Sequence, residues 1–451
     1  MDVFPLLARQ FGPQPGIVHQ LKTQSTVWRQ AIVTKTSAPI TLRCSTRHWT
    51  LLLAAAFTLT LSTTVVMAQS AIPPTDTATL HKVAAEVLNP TVDVSALAPE
   101  IQKIFMAGSV PLTSAQRAIF DKCMASTTCE TGKGKYSLYL LSDLAHPYFS
   151  QSRAEIVTYA IKSGEVARIV YMDSGPDLQR HTTDWRIAIA QRADLVVPWF
   201  ATVANQLGPV IQQATAAGIP IVNGSSEPEP SIAKDLTVRV HSDVCGMWKS
   251  AAPTLKKRLA DKGVTKFTYA MFTGIPGNPS AHIWQPCAEK ALDAAGFTKV
   301  FDGTTNWTPQ GTVQAAAALR ASGKKPTLIA YDESATDFIN AYTAAGDHDI
   351  PTIVLSGSST HGSLLAYKEA WKNGFKPDVF VMPNNSWMMV IPLVVGLEIR
   401  DGKKPSSTLI NYPMEVINIA DVIKQEDLAL PEVTLNGSLL EGQDTVMALK
   451  Y

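Results

Sequence analysis

Leu195–Asn223 reads LVVPWFATVANQLGPVIQQATAAGIPIVN. Leu195–Val197 is a short apolar strand. The helix after it places Val203, Leu207, Val210, Ile211 and Ala214 on one face, the three-four spacing of a helix lying on a sheet. Gly218 ends that helix, and Ile219–Asn223 is the next strand. Strand, covering helix and strand within 29 residues make one βαβ unit of a parallel sheet.

The same alternation extends both ways. Upstream, the pattern predicts strands at Tyr136–Leu141 and Arg168–Met172, with helices at 150–163 and 182–190. Downstream it predicts strands at Val238–His241, Lys266–Phe272, Leu328–Tyr331, Thr352–Leu355 and Val379–Met382. Helices fall near 246–262, 279–295, 310–322, 334–345 and 361–373. Some 300 residues of alternating strand and helix give an α/β fold. One sheet of that many strands would be unusually wide, so two sheets in two lobes are expected.

Before Tyr136 the chain changes character. Trp49–Ala68, WTLLLAAAFTLTLSTTVVMA, is apolar and uncharged, follows Arg43 and Arg47, and ends in Val66-Met67-Ala68. A basic start, an apolar middle and small residues at a cleavage site define a secretory signal peptide, cut near Ala68. The other reading is a membrane anchor, weakened by the run's bare length and its Thr and Ser content. Cys44 precedes the run, which argues against a lipoprotein. Met1–His48 is long for a leader and holds no second Met, so initiation at Val27, Val33 or Leu42 is the expectation. Residues 69–135 carry short amphipathic helices at 80–88, 96–106 and 115–124, and Thr131–Lys135, TGKGK, reads as a linker.

Cleavage removes six of the 39 basic residues and one of the 38 acidic ones, leaving 33 against 37. A mildly acidic exported chain is not built for nucleic acid or for an anionic membrane surface. Four cysteines remain, an even number in an oxidising compartment. Cys123–Cys129 would close a short loop, and Cys245–Cys287 would tie two helices; the alternative for the second pair is free core thiols. No His stands at zinc-ligand spacing from either pair.

Ligands of open α/β sheets sit beyond the carboxyl ends of the strands. The segments there are 142–149, 198–200, 224–226, 274–281, 306–308, 332–334, 356–359 and 383–387. They are rich in aromatics, Ser, Asn and Gly and poor in charge. Flat rings that cover C–H faces, with neutral groups that take hydroxyls, suit a neutral polar ligand such as a sugar or polyol. No G-x-S-x-G elbow, Walker A loop or G-x-G-x-x-G fingerprint occurs after residue 68, so no enzyme is indicated and no cofactor is expected.

Ser142-Asp-Leu-Ala-His-Pro-Tyr-Phe149 resembles the S-x-x-x-N-P-F/W-F segment of ribose-type periplasmic binding proteins. Ala217-Gly-Ile-Pro-Ile-Val222 is similar to their A-x-I-P-V-I segment, His241-Ser-Asp243 to their first hinge crossing, and Gly274-Ile-Pro-Gly277 to their G-x-x-G loop. Tyr331-Asp-Glu333 is similar to their N-D-E, and Tyr412-Pro413 to their last crossing. The resemblance spans about 136–451. It implies two doubly wound parallel-sheet lobes joined by a three-strand hinge, behind a helical N-terminal extension. The lobes would be 136–241 with 385–412, and 242–384 with 413–451, after a leader at 1–68 and the extension at 69–135.

The resemblance also implies a periplasmic, monomeric receptor that delivers a sugar to the membrane permease of an ABC transporter. The alternative is a sensor presenting its bound state to a membrane histidine kinase or chemoreceptor. Ser142, His146, Tyr148 and Phe149 match ligand-contacting positions of the first lobe. Trp307 matches a stacking aromatic, Tyr331 a ligand-binding Asn with Asp332 after it, and Asn384 lies near the hinge amide. The family's Asp-Arg pair is here Ser225-Ser226, and its gripping Arg is Trp284. Loss of these charged clamps points away from ribose toward a larger, flatter or less hydroxylated ligand. Each residue has a plainer role: core packing for Tyr148, Phe149, Trp284 and Trp307, a helix cap for Asp332, a turn for Ser142.

Overall fold

The structure is a computed structural model that describes residues 72–88, 92–142, 146–199, 204–224, 230–357, 361–382, 385–412, 416–422 and 438–440. The stretch expected to be a signal peptide, Ser225, Ser226 and Asn384 lie outside the described residues. Twelve strands are described: β1 Thr128–Glu130, β2 Tyr136–Ser142, β3 Val166–Asp173, β4 Leu195–Pro198, β5 Arg239–Ser242, β6 Thr268–Thr273, β7 Thr298–Thr304, β8 Leu328–Tyr331, β9 Thr352–Leu355, β10 Val379–Val381, β11 Leu409–Tyr412 and β12 Ile417–Asn418.

They form two sheets and a connecting pair. The first sheet runs β1-β3-β2-β4, with β3, β2 and β4 parallel and β1 antiparallel on the edge. The second runs β12-β10-β9-β8-β6-β7, parallel except for β12. β5 and β11 pair in parallel on their own. The two chain crossings therefore lie side by side. The parallel strands are apolar on both faces because helices cover both. Leu138, Leu140, Leu195 and Val197 pack on one side of the first sheet and Tyr139, Leu141 and Val196 on the other. The second sheet divides likewise, Ile329 and Ile353 against Leu328 and Val354.

Four expectations are corrected. The strand at Ile219–Asn223 is reduced to isolated bridges, Val196 with Ile221 and Val222 with Val238. Pro220 has no N–H to give a ladder, and the Asn223 side chain makes the next two bonds instead. Its Nδ2 donates to the Val240 carbonyl (2.8 Å) and its Oδ1 accepts from the Val240 N–H (2.6 Å). β7, a polar edge strand, is additional to the pattern. So is the helix Ile391–Arg400, which is buried over its first two turns and returns the chain to the first lobe's core.

The fourth correction concerns the extension. Thr131–Lys135 is no linker. The Thr131 N–H donates to the Ala167 carbonyl (2.9 Å), its hydroxyl to the Val166 carbonyl (2.6 Å), and the Lys135 N–H to the Glu165 carbonyl (2.9 Å). With β1 paired to β3, the extension is an edge of the first sheet. Its Leu80, Ile101, Phe105 and Phe120 share one core with Leu138, Ile156 and Trp387. Buried charges pin it: Arg153 Nη2 donates to the carbonyls of Cys123 and Ser126, and Lys162 Nζ to those of Ala107 and Val110. Both cysteine pairs are bonded, Cys123–Cys129 and Cys245–Cys287, with Cα separations of 5.1 and 4.8 Å. Among the described residues no helix is long and apolar enough to cross a membrane.

Candidate ligand-binding cleft

The carboxyl ends of the two sheets meet. His146 follows β2 in the first lobe and Glu333 follows β8 in the second, and His146 Nε2 lies 2.8 Å from Glu333 Oε1. The chemistry sets the proton. His146 Nδ1 accepts the Tyr148 N–H (3.1 Å) and so caps the helix Pro147–Ser163. A neutral ring with Nδ1 as acceptor carries its hydrogen on Nε2, which donates to the carboxylate. Glu333 is held from its own lobe by the Tyr331 hydroxyl, which donates to Oε2 (3.2 Å).

Beside this contact stands a tryptophan–carboxylate frame. Asp332 is buried and accepts three bonds: Trp307 Nε1–H on Oδ1 (2.9 Å), and Trp284 Nε1–H (3.2 Å) with the Thr273 hydroxyl (2.7 Å) on Oδ2. Burial pushes its pKa up to about 6, aided by the neighbouring Glu333 and opposed by the three donors. The helix-cap role is not what the side chain does. The helix Thr336–Ala344 starts after Ala335 without a side-chain cap.

Trp307 is aimed by its backbone. Asn306 and Trp307 both take left-handed φ, 55° and 51°, which costs non-glycine residues about 1–3 kcal/mol each and persists where surroundings enforce it. The indole lies flat against Gly274, where a Cβ would sit 2.1 Å from the ring. Gly274 is therefore a packing requirement for Trp307.

The other expected residues divide. Trp284 is 2 % exposed and stacks on Trp248 (centroids 6.4 Å, 19°), so its ring belongs to the second lobe's core. Tyr331 is fully buried in the opposite core layer, its hydroxyl 2.7 Å from Thr305 Oγ1. Ser142 is buried at the end of β2, where its carbonyl accepts the Ser174 N–H. Tyr148 and Phe149 are buried against each other (5.4 Å, 65°), and Phe149 meets Trp199 edge-on (6.1 Å, 64°). His146 and Trp307 are the two partly exposed residues of the expected set.

Sequence reading passed over Glu333, Trp199, Thr273 and Asn385 as site residues. Trp199 directly follows β4 and Asn385 follows β10, positions that the carboxyl-end rule marks. Both are buried, and neither the Trp199 Nε1–H nor either amide atom of Asn385 has a partner among the described residues. Buried polar groups are nearly always satisfied, so these groups fit a site completed by a ligand. Among the described residues no cluster of His, Cys, Asp and Glu could hold a metal ion.

A second concavity, of about 970 Å³, lies at the opposite end of the second sheet, where Thr327 and Asp378 precede β8 and β10 and Thr352 opens β9. Asp378 there pairs with Arg258 (2.7 Å) and Lys262 (2.8 Å).

The family described as "periplasmic binding protein domain" matches residues 138–381, more than half of the chain. No curated protein matches by sequence. Solved structures with the same fold include the periplasmic component of the arabinose ABC transporter of Shewanella sp. ANA-3 (16 % identity, 63 % of this chain and 92 % of that one, TM-score 0.53). A Bacillus halodurans ABC transporter solute-binding protein with bound myo-inositol gives 14 %, 66 %, 98 % and 0.52. The fructose-binding periplasmic domain of a hybrid two-component system gives 14 %, 63 %, 91 % and 0.51. With two α/β sheets whose carboxyl ends meet and a paired crossing of its own, the chain belongs to the periplasmic binding protein domain family and has the type I fold.

Proposed function

We propose that the chain is a periplasmic receptor, exported by a signal peptide cleaved near Ala68, that captures a small hydroxylated molecule of the sugar or polyol type between its lobes. One observation carries the reading: residues from both lobes, His146 and Glu333, bond directly beside a partly exposed Trp307. A ligand seated there touches both lobes only in the closed form, so binding selects closure. Ser225, Ser226 and Asn384 belong to the proposed contacts on the strength of the resemblance alone.

Delivery to an ABC-transporter permease follows as the first role. A sensor role is supported by the two-component domain that shares the fold. The receptor reading invokes no cofactor, and the hydrogen-bonded groups of the cleft serve recognition rather than a reaction.

A thermal-shift screen of the purified protein tests this. At a hundred times its Kd a specific ligand adds about 2.7 kcal/mol of stability. Trp307→Ala should abolish the shift while the unliganded protein still unfolds cooperatively. Absence of any shift across a broad set of carbohydrates, polyols and their amino derivatives overturns the reading.

A further inference from the structure

The charges of the second lobe are segregated. The segments after the strands, 142–149, 173–178, 198–200, 224–229, 273–282, 304–309, 331–335, 356–362 and 382–388, contain no Lys or Arg anywhere in their sequence. Asp173, Asp177, Asp332 and Glu333 stand on described parts of them. The lobe's cations gather instead at the far end of the sheet, with Arg258, Lys262, Arg320, Lys324, Lys325 and Lys376 around the 970 Å³ concavity. Glu333 is 9 % exposed, and both its hydrogen-bond partners among the described residues, the imidazole of His146 with Nδ1 as acceptor and the hydroxyl of Tyr331, are neutral donors. Asp332, adjacent and buried, is bonded by indoles and a hydroxyl only.

A closed cleft of this kind encloses negative charge without a lysine or arginine on its strand-end segments to balance it. Buried charge requires a partner of opposite sign, and a low-dielectric cleft of one sign concentrates ligands of the other. Trp307 agrees, since its partly exposed ring attracts cations as well as C–H faces. The unpartnered amide of Asn385 and indole N–H of Trp199 are neutral groups of the sort that take hydroxyls.

Resting on the receptor reading above, we infer that the ligand is a hydroxylated molecule bearing a protonated amine, of the amino-sugar or aminocyclitol class, with its ammonium directed to Glu333. The arginine clamps that the resemblance implies are absent because they would repel this ligand.

The test is a thermal-shift and calorimetric screen of a library in which each neutral sugar or polyol is matched with its amino and N-acetylamino counterparts, glucose with glucosamine and N-acetylglucosamine among them. Binding should be confined to free-amine members, and N-acetylation should weaken it at least tenfold. Glu333→Gln, with an unchanged circular dichroism spectrum, should weaken the amine at least tenfold and narrow its advantage over the neutral counterpart. Neutral and amino members binding alike, or a preference that survives Glu333→Gln, overturns the charge assignment and leaves the receptor reading standing. No binding by any member of the library overturns both.

Discussion

Asp332→Asn separates what the buried carboxylate costs from what it does. Burial raises its pKa from 3.8 to about 6. A carboxyl pKa that rises on folding means that the native state favours the protonated form. Its contribution is favourable below about pH 4, the unfolded value, and is lost as pH climbs through about 6. Two units of difference amount to about 3 kcal/mol against the fold at pH 8. Asn is the neutral counterpart of the same shape. The stability difference between variant and parent should therefore be about 3 kcal/mol more favourable to the variant at pH 8 than at pH 4. The amide has one oxygen for two acceptor positions, so it can serve Thr273 and Trp284 or Trp307, not all three. The orphaned indole costs about 1–3 kcal/mol and frees Trp307, so ligand affinity should fall at least tenfold while stability at pH 8 is kept or raised. Urea unfolding followed by tryptophan fluorescence at the two pH values reads the first effect, and calorimetric titration the second. An equal variant–parent difference at pH 4 and pH 8 would refute the reasoning, because the carboxylate would then carry no burial penalty.

Other outcomes follow from the same geometry. Gly274→Ala puts a Cβ into the Trp307 ring and should abolish ligand-induced stabilisation while leaving the first lobe intact, checked by thermal shift and circular dichroism. Glu155 is buried, with its pKa raised to about 7 by burial, and Oε1 alone accepts from Ser386, Ser438 and the Leu439 N–H. Glu155→Gln keeps that oxygen and should stabilise the protein by about 1–3 kcal/mol above pH 8, with no gain below about pH 4; equal stabilisation at both would count against it. Replacing both members of Cys245–Cys287, 42 residues apart, should cost roughly 4 kcal/mol, and of Cys123–Cys129, 6 apart, roughly 2 kcal/mol, by the loop-closure relation. Chemical denaturation of the two double serine variants gives the ranking, and the reverse order would sink the entropic account.

The fold was legible because its signals are local. Strands such as Leu328–Tyr331 are continuous apolar runs, and helices such as Pro309–Ala321 carry their own cap in Thr308 and their own Pro at the first turn. What escaped was the pairing that runs across the chain. β1 and β7 are short or polar edge strands whose identity comes from a neighbour's backbone, and the bonds that weave Thr131 into the first sheet reach 35 residues along the chain. The site shows the same divide. Position after a strand singled out His146, Trp307 and Asp332, which the structure gathers around Glu333 and Asp332, yet the role of Asp332 rests on partners 25 and 48 residues away. An acid ahead of a helix looks alike whether it caps or reaches sideways.

Size decided the remaining residues. Where the resemblance places a polar Asn and an Arg, this chain has Tyr331 and Trp284, each with an apolar body whose burial is worth more than its exposure. The tyrosine ring turned into one core layer and the indole into the other, and each kept a single polar atom toward the cleft floor: the hydroxyl on Glu333, the N–H on Asp332. Two positions that match ligand contacts thus became supports for the acids between them. In the proposed receptor, carboxylates backed by rings stand where the resemblance implies cationic forks reaching for hydroxyls. That exchange is why the change of residue type at Trp284 and Tyr331 bears on the charge of the ligand, although neither ring is exposed to meet it.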